Sequence, residues 1–195
     1  ILLVLLFTVS TYAQGVNYKT PINPVQTAPP SPYFITKWVV NAGETITIPT
    51  FRYVYNYDYS VDWSYNAGDG FNADESNVTG NVTSPALPAG EHIVAITGTF
   101  PRIFFDNRGD KDKITEIVQW GTNPWTSMDR AFAGCSNLNI TNPAVGVPNL
   151  SMVTKMTRMF NRATSFNADI GNWDVCNVTD MSYLFAFASA FNQDL

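Results

Sequence analysis

Val153-Thr154-Lys155-Met156 and Val178-Thr179-Asp180-Met181 are two copies of one motif, 25 residues apart. The residues that follow repeat at the same interval, because Phe166-Asn167-Ala168-Asp169-Ile170 recurs as Phe191-Asn192-Gln193-Asp194-Leu195. An earlier copy, Trp125-Thr126-Ser127-Met128, lies 28 residues upstream of its counterpart. A fixed period of this length is typical of a repeat architecture, in which each unit buries its apolar face against the next.

The spacing inside each unit predicts one short helix followed by one strand. Met156, Met159, Phe160 and Ala163 recur at helical spacing, and Thr154 precedes them as a candidate cap. The strand is predicted over 170–175, with Ile170, Trp173 and Val175 facing inward. We therefore expect an α/β leucine-rich-repeat-type right-handed solenoid over 114–195, whose buried ladder includes Met156, Phe160, Trp173 and Met181.

The segment 33–105 has a different sequence pattern, in which short apolar stretches alternate with turn-forming residues. Tyr53, Tyr55, Tyr57, Tyr59, Val61 and Trp63 occupy every odd position of one stretch, which places them on one face of a strand. Further strands are predicted over 34–40, 44–48 and 91–98. This pattern indicates an N-terminal antiparallel β-sandwich of immunoglobulin type, joined to the repeats by a charged loop at 106–113.

The N-terminal residues carry a targeting signal rather than part of the fold. The apolar run that ends in Thr11-Tyr12-Ala13 resembles the core and cleavage site of a secretory signal peptide, predicted over 1–13. A proline-rich linker is predicted over 14–32. We expect a protein that is secreted or held at the outer cell surface, and we expect further repeat copies beyond Leu195.

Two segments resemble known families. Tyr59-Ser-Val-Asp-Trp63, the Gly68-Asp-Gly70 turn and Pro88-Ala-Gly-Glu-His-Ile-Val-Ala-Ile96 are similar to the polycystic-kidney-disease (PKD) type of sandwich. Asp169-Ile-Gly-Asn-Trp-Asp-Val-Cys-Asn-Val-Thr-Asp-Met181, running into Phe191-Asn-Gln-Asp-Leu195, resembles the repeat of BspA-like leucine-rich-repeat surface proteins of bacteria. The second resemblance implies adhesion or protein binding at the cell surface, without catalytic residues to transfer.

Composition narrows the function classes. The formal net charge is −5, with 11 Lys and Arg against 16 Asp and Glu, which argues against a nucleic-acid partner. Two Cys and one His exclude a Cys/His zinc site and leave no partner for a nucleophilic triad. We therefore expect no cofactor, no catalytic residues and no stable membrane span, and we expect Cys135 and Cys176 to be unbridged.

Three other groups of residues are candidate binding or modification sites, and the sequence alone does not decide whether they act as such. Arg108-Gly109-Asp110 spells an integrin-recognition tripeptide within the charged loop. Oxygen ligands for calcium are offered near a glycine turn by Asp69, Asn72, Asp74 and Glu75, although their spacing is not that of an EF-hand. Asn-x-Thr or Asn-x-Ser occurs at Asn77, Asn81, Asn139, Asn149 and Asn177, which we interpret as turn and cap chemistry.

We expect a non-catalytic exported surface protein whose repeats bind another protein. Alternation along the predicted strands nominates Gln119, Asn172 and Asp174 as contact groups, and the ligand remains unknown. The alternative is a carbohydrate-binding accessory region of a larger secreted enzyme, which exposed aromatic rings on the sandwich would favour.

Overall fold

The computed structural model describes residues 31–51, 56–142 and 145–194. The predicted signal peptide at 1–13 and all but the end of the linker at 14–32 lie outside the described residues. Across the described ranges the chain forms β-strands and turns but no α-helix, and no segment there has a helix able to span a membrane.

Five antiparallel strands form the main sheet, in the order β4-β3-β6-β1-β7, and β2 pairs with β5 in a small second sheet. Strand β6 is central and runs against β1, with Trp38 opposite His92, and against β3, with Ser60 opposite Thr97. The strands are β1 (Phe34–Val40), β2 (Thr47–Ile48), β3 (Asp58–Asp62), β4 (Glu75–Val78), β5 (Val82–Thr83), β6 (Gly90–Thr99) and β7 (Ile114–Gln119).

The aromatic alternation along β3 places one face in the core, as predicted. Tyr57, Tyr59, Val61 and Trp63 are buried, while Tyr53 and Tyr55 lie outside the described residues. Asp62 departs from the pattern, because it is buried on the polar face. Its carboxylate accepts hydrogen bonds from the backbone N–H of Ser64 at 3.0 Å and of Asn72 at 2.8 Å, which compensates the cost of burial.

The predicted PKD-type immunoglobulin-like sandwich over 33–105 is wrong. One edge of the main sheet is β7, which comes from the segment assigned to the repeats and pairs Thr36 with Ile117. The second sheet consists of two strands of two residues each, so within the described part of the chain no second full layer faces the first. Residues 102–105, at the end of the predicted sandwich, form no strand. Long-range pairing with β7 completes the sheet instead.

The predicted α/β leucine-rich-repeat solenoid is also wrong, because the expected helix is a series of tight turns. Arg158 and Arg162 have left-handed backbone, with φ of 56° and 61°, which a right-handed helix excludes. The N–H of Arg158 donates to Ser182 O at 3.0 Å, and that of Phe160 donates to Leu184 O at 3.0 Å. Since these donors are bonded to the neighbouring unit, they cannot form the i to i−4 bonds of a helix.

The strand predicted over 170–175 is replaced by turns and irregular backbone. Ile170 and Trp173 are buried as expected, but Val175 is exposed. Trp173 N donates to Ile170 O at 3.0 Å, a turn bond that breaks the strict alternation of a strand. The apolar residues therefore face inward by turning the chain rather than by extending it.

Three turn segments, 128–138, 156–166 and 181–191, stack on one another, and we call them the turn stack. Phenylalanine rings run through it at equivalent positions, with centroid distances of 5.8 Å from Phe132 to Phe160 and 5.8 Å from Phe160 to Phe185. Phe105 extends this column at 6.3 Å from Phe132 and lies 6.0 Å from Trp38 of β1. One hydrophobic core therefore runs from the main sheet into the turn stack.

The predicted buried ladder is confirmed at three positions and wrong at the fourth. Met156, Phe160 and Trp173 are buried. Met181 occupies the slot of Met156, yet it is 38% exposed where Met156 is 1% exposed. Met156 N donates to Asp180 O of the next unit, whereas no described unit packs beyond Met181. Burial in this slot therefore depends on the following unit.

Candidate binding surface

Each unit of the turn stack holds two residues with left-handed backbone at equivalent positions. A β-carbon in this conformation costs roughly 1–2 kcal/mol, and Gly, Asn and Asp tolerate it best. The chain nevertheless places large side chains at five of the six positions, so the backbone does not explain their identity. The first position is held by Arg130, Arg158 and Tyr183, and the second by Gly134, Arg162 and Phe187.

Two of these arginines lie over aromatic rings of the next unit. The Arg158 Cζ atom is 5.0 Å from the centroid of the Tyr183 ring, and the Arg162 Cζ atom is 5.1 Å from that of Phe187. Tyr183 is 64% exposed and Phe187 is 71% exposed. A guanidinium over a ring gains cation–π attraction and keeps N–H groups available for a planar anion. We call Lys155, Arg158, Arg162, Tyr183 and Phe187 the cation–aromatic face.

Among the described residues, the cations of this face form no ion pair with a carboxylate. Of the 11 Lys and Arg, Lys19 and Arg52 lie outside the described residues, which leaves nine. Six of the nine form ion pairs: Lys37, Arg102, Arg108, Lys111, Lys113 and Arg130. The three described cations without an ion pair are Lys155, Arg158 and Arg162, which lie within eight residues of one another. Unneutralised positive charge is thus concentrated in one unit of a net negative chain.

Asp180 partly offsets Lys155, which lies opposite it in a parallel bridge. The backbone N–H of Ser182 donates to the Asp180 carboxylate at 2.9 Å. This hydrogen bond lowers the pKa of Asp180, and the charge of Lys155 lowers it further. The two guanidinium groups of Arg158 and Arg162 are therefore the main positive groups of the cation–aromatic face.

The face does not extend to Arg130 in the first unit, because neighbouring carboxylates neutralise the charge of that side chain. Arg130 Nε lies 3.5 Å from an Asp106 oxygen and 3.8 Å from an Asp129 oxygen. Asp129 also pairs at 2.9 Å with Arg102, which is buried and packs against both the Phe51 and Phe104 rings. These pairs stabilise the junction between the sheet and the turn stack.

The tripeptide Arg108-Gly109-Asp110 does not present both charges. Arg108 is exposed, but the Asp110 carboxylate accepts a hydrogen bond from Thr47 N at 2.7 Å and pairs with Lys113 at 2.9 Å. The aspartate that an integrin-type contact requires is therefore committed to holding the 106–113 loop against β2.

The acidic turn at 69–75 uses its oxygens to brace its own loop. Asp74 accepts the Trp63 N–H at 2.8 Å, and Asp69 accepts a hydrogen bond from the Asn66 amide at 3.1 Å. Glu75 lies in β4, and Asn72 donates its backbone N–H to Asp62. Within the described ranges no group of three or more His, Cys, Asp or Glu is placed to hold a metal ion.

The three predicted contact groups are not brought together on one strand. Gln119 is half-buried, and its Nε2 atom donates to Tyr33 O at 2.8 Å. Asp174 accepts hydrogen bonds from the Cys176 thiol and backbone N–H, and these lower the pKa of Asp174. Asn172 is exposed at the rim of a groove, so it remains a candidate contact group.

The groove beside Asn172 has a volume of about 330 Å³ and combines polar side chains with indole rings. Trp120 and Trp173 meet at its wall, with ring centroids 5.4 Å apart. Its polar lining comes from the loops between stacked units, and consists of Thr141, Asn142, Asn167, Asp169, Asn172 and Gln193.

Asparagines of the predicted sequons form hydrogen bonds within turns or between equivalent positions of successive units. Asn81 accepts hydrogen bonds from Thr50, and Asn149 accepts them from Ser151. Asn139 accepts the N–H of Asn167 at 3.1 Å, and Asn167 accepts that of Asn192 at 2.9 Å. This asparagine ladder was missed by sequence reasoning, although the three residues recur at the repeat interval.

Both thiols are free, Cys135 in the core and Cys176 on the surface. Burial raises the pKa of Cys135, and the hydrogen bond to Asp174 raises that of Cys176. His92 bonds through Nε2 to Pro88 O at 3.0 Å. A raised thiol pKa leaves little reactive thiolate, so neither cysteine is activated as a nucleophile.

Sequence reasoning also missed the cation–aromatic face. It assigned 156–163 to a helix, in which Arg158 and Arg162 would be ordinary surface residues. The available signal was the repeat interval, which aligns Arg158 with Tyr183 and Arg162 with Phe187.

Residues 100–195 match a family model described as "Mycoplasma protein of unknown function, DUF285". The match begins at Phe100 and spans β7 and the turn stack, so it covers slightly less than half of the chain. No curated protein and no solved structure is significantly similar to the chain. The predicted assignment to BspA-like leucine-rich-repeat proteins with a PKD domain is therefore replaced by a similarity confined to residues 100–195.

Proposed function

We propose that this chain is part of an exported, non-catalytic surface protein that binds another protein through the turn stack. The observation that carries the proposal is the position of the exposed large apolar side chains. Among the seven such residues that the structure describes, Met181, Tyr183 and Phe187 lie together in the third segment of the turn stack, whereas only Val39 lies in the main sheet. Such clustering of apolar side chains on a surface is typical of interaction sites.

The architecture suits this role. Stacked units build one continuous surface, on which outward residues vary while inward residues keep the core. Arg, Tyr, Phe and Met are enriched in the cores of protein interfaces, and the exposed positions of the stack carry these residue types. Export rests on the apolar run and Thr11-Tyr12-Ala13 at the start of the chain.

Binding rather than catalysis is supported by the state of the nucleophile candidates. Both thiols have raised pKa values, and the imidazole of His92 is bonded to a backbone carbonyl. A hydrolytic turnover by the purified chain that a single side-chain substitution abolishes would contradict this part of the proposal.

Adhesion of cells that display the chain to immobilised extracellular proteins tests the proposal. We expect Tyr183→Ser combined with Phe187→Ser to reduce adhesion, because both rings are exposed and make no core contact. Val39→Ser is the matched control, since it removes an exposed apolar side chain outside the stack. Equal adhesion by all three forms, or a chain that protease added to intact cells cannot reach, would contradict the proposal.

A second candidate function is carbohydrate binding, which the groove at Asn172 favours. Amides, a hydroxyl and a carboxylate line it beside two indole rings, and such groups can hydrogen-bond sugar hydroxyls. Calorimetric titration with neutral oligosaccharides distinguishes the two functions. Saturable binding that Asn172→Ala abolishes, while adhesion to protein is absent, would favour this alternative.

A further inference from the structure

We infer that the cation–aromatic face is a docking site for an acidic segment of a partner protein. The inference rests on the proposed function and assigns the chemistry of the partner to a defined set of residues. Its first support is charge, because Lys155, Arg158 and Arg162 are the described cations without an ion pair. These three cations form a locally positive site in a chain whose formal net charge is −5.

The second support is the geometry of the guanidinium groups. Arg158 and Arg162 lie 5.0 Å and 5.1 Å from ring centroids, and these contacts restrict two otherwise flexible side chains. Side chains that are ordered before binding lose less entropy when a ligand arrives. A planar guanidinium can then donate two parallel hydrogen bonds to one carboxylate.

The third support is the unfavourable backbone beneath the same side chains. Arg158, Arg162, Tyr183 and Phe187 all occupy left-handed positions with φ between 56° and 63°. Gly134 occupies the slot of Arg162 in the preceding unit, where Asn107 leaves no room for a β-carbon, so glycine is compatible with this backbone. Strained positions that carry large exposed side chains are found preferentially at binding sites.

A protein partner fits this face better than a saccharide. Small-molecule sites are concave, whereas none of the five residues of the face lines the groove beside Asn172. Arginine clusters that read acidic motifs are a recurrent mode of peptide recognition. The exposed Tyr183 and Phe187 rings add the aromatic anchors that protein interfaces favour.

The test uses the 195-residue chain and two labelled peptides, one of alternating Glu and Ser and one of alternating Gln and Ser. We expect the chain to bind the Glu peptide more tightly than the Gln peptide in fluorescence anisotropy titrations. Binding should weaken as salt rises through about 0.15 M, because the contacting charges are exposed. Equal affinity for the two peptides would overturn the inference.

Substitutions then locate the site. Arg158→Gln and Arg162→Gln should each lower the affinity for the Glu peptide about tenfold, since a charge-assisted bidentate contact is lost. Lys111→Gln is the matched control, because it removes the same charge from an exposed loop where Lys111 already pairs with Asp112. An equal loss in the control would indicate unspecific attraction and overturn the inference.

Two further measurements keep the outcomes distinct. Unchanged denaturation midpoints establish that the Gln variants fold, and Arg162→Gly provides a second variant compatible with the backbone at that slot. A labelled sulfated oligosaccharide that binds through the same arginines while the Glu peptide does not would replace the protein partner with a glycan. Adhesion that survives both Arg→Gln changes would contradict the docking site but not the proposed adhesive function. Binding of the Glu peptide without any adhesion would support the docking site and contradict the proposed function.

Discussion

At Gly121 the backbone φ is +69°, and a β-carbon built there would lie 2.5 Å from the carbonyl oxygen of Tyr33. The contact is with backbone, which cannot rotate away. Gly146 has a similar φ of +76° but no atom within 4 Å of an added β-carbon. This pair of glycines separates the cost of left-handed backbone from the cost of steric overlap.

We predict that Gly121→Ala destabilises the fold by at least about 3 kcal/mol, combining backbone strain with displacement of residues 32–33. Gly146→Ala should cost only roughly 1–2 kcal/mol, because strain is its sole penalty. Chemical denaturation of both variants measures the difference. Equal losses would show that the segment before β1 yields without cost.

The ionisation of Glu116 on β7 makes the stability of the fold depend on pH. Its carboxylate pairs with Lys37 at 3.0 Å and accepts a hydrogen bond from the Thr141 hydroxyl. Burial alone would raise the pKa of Glu116, but the bonds from Thr141 and Lys37 outweigh it and lower the pKa. The hydrogen bond between Lys37 and Glu116 also raises the pKa of Lys37. A carboxyl with a lowered pKa stabilises the fold above its unfolded value of about 4.3.

We predict that this contribution is lost as the pH falls from about 4.3 through the lower pKa of folded Glu116. Glu116→Gln should therefore flatten the acid side of the stability curve, measured by urea unfolding between neutral pH and about pH 3. Glu91→Gln is the control, because Glu91 is exposed and lies 3.9 Å from Lys37. Curves of the same shape for the native chain and Glu116→Gln would contradict the prediction.

At the scale of the element, one spacing of apolar residues is compatible with two backbones. Met156, Met159 and Ala163 face inward both on a helix and on successive tight turns. Met159 N donates to Met156 O at 3.1 Å and Ala163 N to Phe160 O at 3.1 Å, so the local bonds are those of turns. The N–H groups of Arg158, Phe160 and Arg162 reach the next unit, which makes this turn segment dependent on its neighbour.

We predict that Met156→Ala costs about 2–5 kcal/mol, the usual range for truncating a large core residue. Met181→Ala should cost under about 1 kcal/mol, because the same slot is partly exposed in the last unit. The free energies of unfolding of the two variants test this. A large loss from Met181→Ala would show that its side chain has a partner outside the described residues.

Hydrogen exchange should reveal the same asymmetry in the backbone. The N–H groups of Met156, Arg158, Phe160 and Arg162 donate to residues 180–186 at 2.8–3.0 Å. Their counterparts at Met181, Tyr183, Phe185 and Phe187 have no acceptor among the described residues. We predict slow exchange for the first set and fast exchange for the second. Equal protection would mean that another segment covers the last unit.

At the scale of the whole molecule, the sheet and the turn stack share one core. Phe105 contacts both Trp38 and Phe132, and Trp120, directly after β7, contacts Trp173 at 5.4 Å between ring centroids. β7 itself is followed by the first turn segment, so the sheet edge and the stack are joined through the chain as well as through packing.

We predict one cooperative unfolding transition for the 195-residue chain, since separate domains would require separate cores. Far-ultraviolet circular dichroism follows the strands, while hydrogen exchange of the Met156 and Phe160 N–H groups at increasing denaturant follows the turn stack. The midpoints should coincide. Two separated transitions would show that the sheet and the turn stack fold independently.

The sequence by itself determined which side chains are buried over much of the chain. Alternation placed Tyr57, Tyr59 and Val61 in the core, and the 25-residue interval aligned Met156 and Phe160 with their counterparts. These features follow from local periodicity, because the side chains that recur in phase with the backbone share a face. The asparagine ladder and the arginine–aromatic pairs were also present in that interval, but contact could not be inferred while their backbone was taken for a helix.

Only the tertiary structure decided the backbone of the repeats and the composition of the sheet. The N–H groups of Arg158 and Phe160 are bonded to Ser182 and Leu184, so turns replace the helix. β7 joins β1 across some eighty residues of intervening chain, with Thr36 opposite Ile117. The physical reason is common to both: a periodic pattern specifies which side of a segment is apolar, whereas the choice of hydrogen-bond partner depends on which distant segment packs beside it.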